Sequence, residues 1–198
     1  LMNPQPASVL ELFQQTGAYL KGHFRLTSGL HSPGYLQSAL VLQHPQHAEE
    51  LGRRLAAKLS RLTNDAPIGL VLSPALGGLI IGHEVARALG ARFLFAERDS
   101  DRRMSLRRGF TISPAERAIV IEDVITTGGS TREVVDIVVA AGADPVAAGS
   151  IIDRSGGAAD VGIPRAALET LTVPVFEANE CPMCRAGEPL TKPGSRPV

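Results

Sequence analysis

An apolar run that ends abruptly on two adjacent carboxylates constrains this chain more than any other feature. Ala118-Ile119-Val120-Ile121 runs straight into Glu122 and Asp123. Val124 and Ile125 follow, then Thr126-Thr127-Gly128-Gly129-Ser130. The run is short, rich in Ile and Val, and bounded by polar residues, so it reads as a buried strand. Glu122 and Asp123 would emerge at its carboxyl end, where open α/β sheets bind ligands. Two carboxylates at the end of a buried strand call for a partner, because an unpaired buried charge is costly. Thr126 to Ser130 would form a loop of backbone N–H and hydroxyl donors at a helix N-terminus, which favours an anion. That order suits a phosphorylated sugar.

The surrounding pattern places this strand in a sheet. Ile68 to Ser73 reads as a strand, Gly77 to Leu89 as a helix, and Arg92 to Ala96 as a second strand. After the opening motif come a helix from about Ser130 to Ala141, a strand from Pro145 to Ile152, and a last strand at Thr172 to Phe176. Strands alternating with helices imply an α/β fold with a mainly parallel sheet. Upstream, Ser8-Val9-Leu10-Glu11 is a capping box opening an amphipathic helix through about Tyr19. Leu20 to Gln37 is turn-rich and partly alternating, and is expected to form a small hairpin layer. Gln46 to Leu62 is a second helix, with Leu51, Leu55, Leu59 and Leu62 on one stripe. Residues 97 to 113 show no clear period and carry Arg98, Arg102, Arg103, Arg107 and Arg108. The tail beyond Glu180, with Pro182, Pro189, Pro193 and Pro197, reads as irregular.

Length and charge narrow the function classes. A chain of 198 residues can build one sizeable core, and one domain spanning 1–198 is expected. Formal net charge is zero, which gives no sign of nucleic acid or anionic membrane as partner. No apolar run reaches the length of a membrane span, and no basic region precedes an apolar stretch at the start; a cytoplasmic setting fits. Lys occurs only at 21, 58 and 192, so the other 17 basic residues are Arg, the side chain suited to bidentate grip on phosphate and carboxylate. Both cysteines lie in one pair, Cys181-Pro182-Met183-Cys184. A zinc site needs about four ligands, so the pair is incomplete unless histidines or a second subunit contribute. A redox pair would need a thioredoxin-like context, so a plain structural role is expected.

Glu122 to Ser130 resembles the phosphoribosyl pyrophosphate (PRPP) signature of the type I phosphoribosyltransferases. The resemblance implies that family's fold: a mainly parallel sheet flanked by helices, with an N-terminal hood. It also implies that Glu122 and Asp123 hold the ribose hydroxyls, that Thr126, Thr127, Gly128, Gly129 and Ser130 bind the 5′-phosphate, and that Val124 and Ile125 between them belong to the substrate-binding segment. Leu20-Lys21-Gly22-His23-Phe24-Arg25-Leu26-Thr27-Ser28-Gly29, followed by Ser32-Pro33-Gly34-Tyr35, resembles the hood of the orotate phosphoribosyltransferases. Ile151-Ile152-Asp153-Arg154 is similar to that family's strand-end arginine, which meets orotate. The hood and N-terminal layer would span about 8–45, the PRPP-binding core about 66–177, and the irregular tail about 178–198.

The resemblance extends to other sites. Ala75, Leu76 and Gly77 fall in the pyrophosphate loop, Lys21 contacts orotate or PRPP, and Arg98, Arg102 and Arg103 belong to a mobile catalytic loop. That loop closes over the neighbouring subunit of a homodimer in relatives. Relatives often carry a Lys near Gly77, a Lys where Asp99 stands, and a His where Met104 stands. The implied reaction is transfer of the phosphoribosyl group of PRPP to orotate, giving orotidine 5′-monophosphate and pyrophosphate in pyrimidine biosynthesis. Arg102, Glu122 and Asp123 are its implied catalytic residues. Mg²⁺ is the implied cofactor, held by PRPP and water without an assigned protein ligand. A purine phosphoribosyltransferase, or a PRPP-sensing regulator without catalysis, remains as the alternative. An ATPase does not: Gly77 to Gly82 has P-loop glycine spacing, but His83 and Glu84 stand where Lys and Ser/Thr are required.

Overall fold

The structure, a computed structural model, describes residues 7–26 and 28–193. Thr27 of the expected hood and Pro197 of the tail lie outside the described residues. The chain divides into two compact units, residues 1–41 with 172–198, and residues 42–171.

The first unit begins with α1 (Val9–Gln15), held at its start by the expected capping box. The Glu11 N–H donates to Ser8 Oγ at 3.2 Å, and the Ser8 N–H donates back to Glu11 Oε2 at 2.7 Å. These bonds hold the Glu11 carboxyl below its usual range. The helix stops short of Tyr19. Thr16 Oγ1 donates to the Leu12 carbonyl at 2.7 Å, and Gly17 takes φ +67°, turning the chain out of the helix. Tyr19 instead opens β1 (Tyr19–Arg25), which pairs antiparallel with β2 (His31–Leu36) in the expected hairpin. The register shifts between Lys21 and Phe24.

The second unit carries the larger sheet. After α2 (Ser38–Leu42), which crosses the unit boundary, come α3 (Pro45–Leu62), β3 (Leu70–Pro74), α4 (Gly78–Leu89), β4 (Arg92–Arg98), β5 (Met104–Leu106), β6 (Arg117–Ile125), α5 (Gly129–Ala140), β7 (Asp144–Asp153) and β8 (Arg165–Thr170). The strand order is β5-β4-β3-β6-β7-β8, with every pair parallel except β4 with β5. One face packs Leu70, Leu72, Leu94, Ala118 and Val120 against Val134, Val135 and Val138 of α5. On the other face, Ile121 lies beside Leu55 and Leu59 of α3. All three meet at Gly149 of β7, where a Cβ would stand 2.8 Å from Leu59 Cδ1. The buried stripe of α3 includes Ala48, Leu51, Leu55, Ala56 and Leu59, the helical spacing legible in the sequence, but Leu62, expected on the same stripe, is exposed at the helix end.

Two expectations fail here. The last strand of this sheet is Arg165–Thr170, not Thr172 to Phe176. Ala-Ala-Leu-Glu has weak strand preference by itself, and β7 supplies the pairing that imposes it. Residues 172 to 176 contain Pro174 and form isolated bridges instead of a strand, among them Phe176 with His31. Residues 97 to 113 are not a structureless loop. β5 folds back on β4, and Asp99 Oδ1 closes the turn by accepting from the N–H groups of Asp101 and Arg103, both at 2.9 Å.

In the first unit, the tail is also more ordered than its prolines suggest. It forms α6 (Pro182–Arg185) and β9 (Leu190–Thr191), and β9 adds to β1 in parallel. Leu55 is fully buried. Leu55→Ala should therefore cost about 2–5 kcal/mol. A melting curve should show a fall on the order of 10 °C; a fall under about 2 °C would mean the α3 face is not well packed.

Candidate active site

The strand order reverses between β3 and β6. From β3 the chain builds outward to β4 and β5, then returns to the other side of β3 and continues through β6, β7 and β8. Such a switch point leaves a crevice at the carboxyl ends of the strands. The loop after β3 and the loop after β6 flank it, and they contain Ala75–Gly77 and Thr126–Gly128. The resemblance implies phosphate groups for both.

The acidic pair straddles the sheet. Successive residues on a strand point to opposite faces, and the structure shows the result. Glu122 is half-buried and accepts a hydrogen bond from Thr131 Oγ1 of α5 at 2.8 Å. Asp123 points towards the start of α4, where a Cβ on Gly77 would lie 2.5 Å from its Oδ1. Gly77 has an ordinary φ of −55°, so this position needs glycine for space and not for backbone freedom. Gly78 is held as tightly, with the Ile121 carbonyl oxygen 2.9 Å from the place of its missing Cβ. The Ala75–Leu76 peptide is cis, and Leu76 is exposed.

The two carboxylates differ in charge state. Burial, and then the Asp123 charge beside it, push Glu122 up from 4.5 to about 8. Thr131 and Arg98 pull the other way. Glu122 therefore holds its proton at neutral pH, and the pair carries one negative charge instead of two.

The segment from Thr126 to Ser130 has the loop-and-helix-start form that the sequence implied. Gly128 is the N-cap of α5 at φ +84°, and no side chain caps the helix start. A Cβ at Gly128 would also stand 2.9 Å from Val161 Cγ1. Thr126, Thr127 and Gly129 are exposed and Ser130 is half-buried, leaving the first helical N–H groups open to an anion. Val124 and Ile125 are the last residues of β6, and Ile125 is buried.

Arg154 follows β7 at the same edge, where its N–H donates to the Ile125 carbonyl at 2.8 Å. Asp153 binds Arg165 and Ser155, and Asp160 lies 3.5 Å from Arg132. Lys21 lies in the first unit, exposed on β1.

The arginine-rich segment is largely self-paired. Arg98 makes a fork with Glu133 of α5, with two bonds of 2.9 Å, and also donates to the Arg102 carbonyl at 2.6 Å. Arg103 pairs with Asp101 at 3.0 Å and Asp99 at 3.4 Å. Arg108 forks onto Glu97 at 2.7 and 2.9 Å, with its guanidinium 5.6 Å from the Phe95 ring centre. Among the described residues, Arg102 has no ion pair. It is exposed at the hairpin tip, with φ +64°. Arg98, Arg102, Arg103 and Met104 line a cleft of about 510 Å³ with Glu133 and Asp136. Thr131 and Glu133 were not singled out from the sequence. Their roles depend on α5 facing β6 and β4, which no local pattern reports.

The chain is 53% identical over 190 residues to an orotate phosphoribosyltransferase of Pelotomaculum thermopropionicum, covering 96% of this chain and 97% of that one. The chain belongs to the orotate phosphoribosyltransferase family. A second family member, from Thermus thermophilus, is 48% identical over 182 residues, covering 92% of this chain and 97% of its own length. No family model matches the chain. Among solved structures, orotate phosphoribosyltransferase from Aeropyrum pernix superposes with a TM-score of 0.66 at 22% identity, covering 82% of this chain and 93% of that one. An adenine phosphoribosyltransferase gives 0.64 at 17% identity, covering 82% and 99%. These two show the type I phosphoribosyltransferase fold, which the orotate and adenine enzymes share; the base is distinguished by the closer relatives.

Two measurements test this orotate phosphoribosyltransferase site. The raised Glu122 pKa means the folded state binds a proton that the unfolded chain releases between about pH 4.5 and 8. Stability should therefore fall as pH rises through that window. Glu122→Gln should remove the slope, so that its melting temperature gains on the wild type from pH 5 to pH 8; parallel curves would rule out a raised pKa. Gly77→Ala should displace the Asp123 carboxylate. Turnover should fall roughly 10-fold or more, the scale of a small misplacement of a reacting group, while the melting temperature moves by only a few degrees.

Proposed function

We propose that this family member transfers the phosphoribosyl group of PRPP to orotate by the following division of labour. The observation that carries the reading is the pairing of two anion-receptive loops across one switch point, with Asp123 between them. The α5 N-terminus, with Thr126 to Ser130, takes the 5′-phosphate on its free N–H groups and hydroxyls. Asp123 accepts from a ribose hydroxyl and fixes the sugar relative to the loop at Ala75–Gly77, which takes the pyrophosphate. Glu122, protonated when the site is empty, offers both an acceptor and a donor to the second hydroxyl, and avoids placing two full charges side by side.

Attack by an orotate nitrogen on the anomeric carbon breaks the bond to pyrophosphate and gives orotidine 5′-monophosphate. The sugar passes through a cation-like state, so catalysis rests on positioning and on charge. Asp123 provides negative charge near the developing cation. Arg102 offers a guanidinium to the departing pyrophosphate, and Arg98 and Arg103 support the same hairpin. Arg154 supplies a cationic donor for the orotate carboxylate.

Mg²⁺ fits this donor set. Hard carboxylate oxygens and hydroxyls surround the switch point, and Mg²⁺ keeps most of its waters when phosphates bind it. When bound, it neutralises pyrophosphate charge. Two copies of the chain are proposed to associate, with the β4–β5 hairpin of one reaching the partner's site.

Purified protein with PRPP, Mg²⁺ and orotate should lose orotate's ultraviolet absorbance. Adenine and hypoxanthine should give no nucleotide; turnover of either in place of orotate would overturn the assignment of base. Arg102→Ala should lower kcat about 100-fold, equivalent to about 3 kcal/mol, and Asp123→Asn should lower it sharply with the fold intact. An unchanged kcat in both would remove these residues from the reaction.

A further inference from the structure

The tail and the hairpin of the first unit bring four ligand-type side chains to one point. His23 lies on β1, His31 on β2, and Cys181 and Cys184 at α6. One ligand atom from each lies within 4.8 Å of every other. His23 Nε2 is 2.9 Å from His31 Nδ1, 3.5 Å from Cys181 Sγ and 3.6 Å from Cys184 Sγ. Cys184 Sγ is 3.3 Å from His31 Nδ1. Zinc bonds of about 2.0–2.1 Å to nitrogen and 2.3 Å to sulfur place tetrahedral ligand atoms roughly 3.3–3.8 Å apart. The three sulfur–nitrogen separations fall in that range, the two nitrogens are closer, and the full set, within 4.8 Å, needs only a small contraction to reach it.

Three further observations favour a metal over a packed core. His23, His31 and Cys181 are buried, although polar and ionisable groups need partners to be buried. The outer nitrogen of His23, Nδ1, lies 2.9 Å from the Glu188 carbonyl. That carbonyl can only accept, so Nδ1 carries the proton and Nε2 presents its lone pair to the cluster, the usual support for a metal-binding histidine. The cysteines are free thiols.

We propose that His23, His31, Cys181 and Cys184 form a closed, structural Zn²⁺ site that ties the C-terminal tail to the hairpin of the hood. All four positions are protein ligands, so no coordination site remains for chemistry. The cysteine–histidine contacts join residues 153 to 161 positions apart, a long loop whose closure constrains the unfolded chain strongly. The strand pairing of the tail onto β1 covers only His23 with Leu190 and Phe24 with Thr191, so the metal would be the stronger tie. The site is separate from the acidic pair and its phosphate loops, which belong to the second unit, and it does not depend on the reading of their roles.

Full-length protein purified without chelator should contain about one zinc per chain by elemental analysis. Cys184→Ser, which alters the exposed ligand, should retain less than about a tenth of that after dialysis. Replacement by Co²⁺ should produce thiolate-to-cobalt charge-transfer bands and strong tetrahedral visible bands, both lost in Cys181→Ser. If wild-type protein holds no zinc, takes up none when supplied, and shows no cobalt bands, the site is not a metal centre. A Cys181–Cys184 disulfide in the freshly purified protein, read as thiol loss and a mass two hydrogens lower, would overturn it as well.

Discussion

Close approach of α4 to the end of β6 is the constraint on which the second unit depends. At Gly77 and Gly78 there is no room for a side chain, because Asp123 and the Ile121 carbonyl already occupy that space. The approach brings the loop after β3 against the strand that carries the acidic pair. The parallel pairing of β3 with β6 then sets both loops at one edge. The ligand crevice is thus a by-product of backbone contact at a topological switch point, and it needs no moving part to assemble.

Charge is managed around that crevice by spreading it over both faces of the sheet. Glu122 turns towards α5 and keeps its proton, while Asp123 turns towards α4. The arginines are likewise occupied before any anion arrives: Glu133 holds Arg98, and Glu97 holds Arg108. An incoming pyrophosphate would have to compete with those carboxylates, which favours Arg102, the arginine at the hairpin tip without an ion pair, as its first contact. Exposed pairs of this kind are worth little and exchange readily, so the arrangement holds the hairpin in place without making its cations unavailable.

Much of this was legible from local pattern. The Ile/Val run, the carboxylates at its end and the Thr/Gly loop predicted β6, the loop after it and the start of α5, because burial and turn chemistry each leave a short-range signature. The capping box at Ser8 and the stripe of α3 were equally plain. What escaped were elements whose stability comes from a neighbour. β8 has little strand preference and forms because β7 offers an open edge. The β4–β5 hairpin depends on Asp99 closing a turn that composition alone presents as a charged loop. The expected length of α1 was too great because the chain turns at Gly17, one residue beyond the cap, and leaves the helix before Tyr19.

The cysteine pair shows the division most clearly. By itself, Cys181-Pro182-Met183-Cys184 is half a metal site, and the sequence places no histidine near it. His23 and His31 stand eight residues apart on two strands, far from the spacing of a ligand pair, and only the hairpin's antiparallel register and the return of the tail along β1 bring them to the sulfurs. The sequence determined the family, the sheet and the chemistry available at the end of β6, since each is written in contiguous residues. The tertiary structure decided which face each carboxylate serves, which arginines are already engaged, and which side chains surround the thiols. Those outcomes depend on contacts between segments, and contacts of that range have no period or motif in the chain.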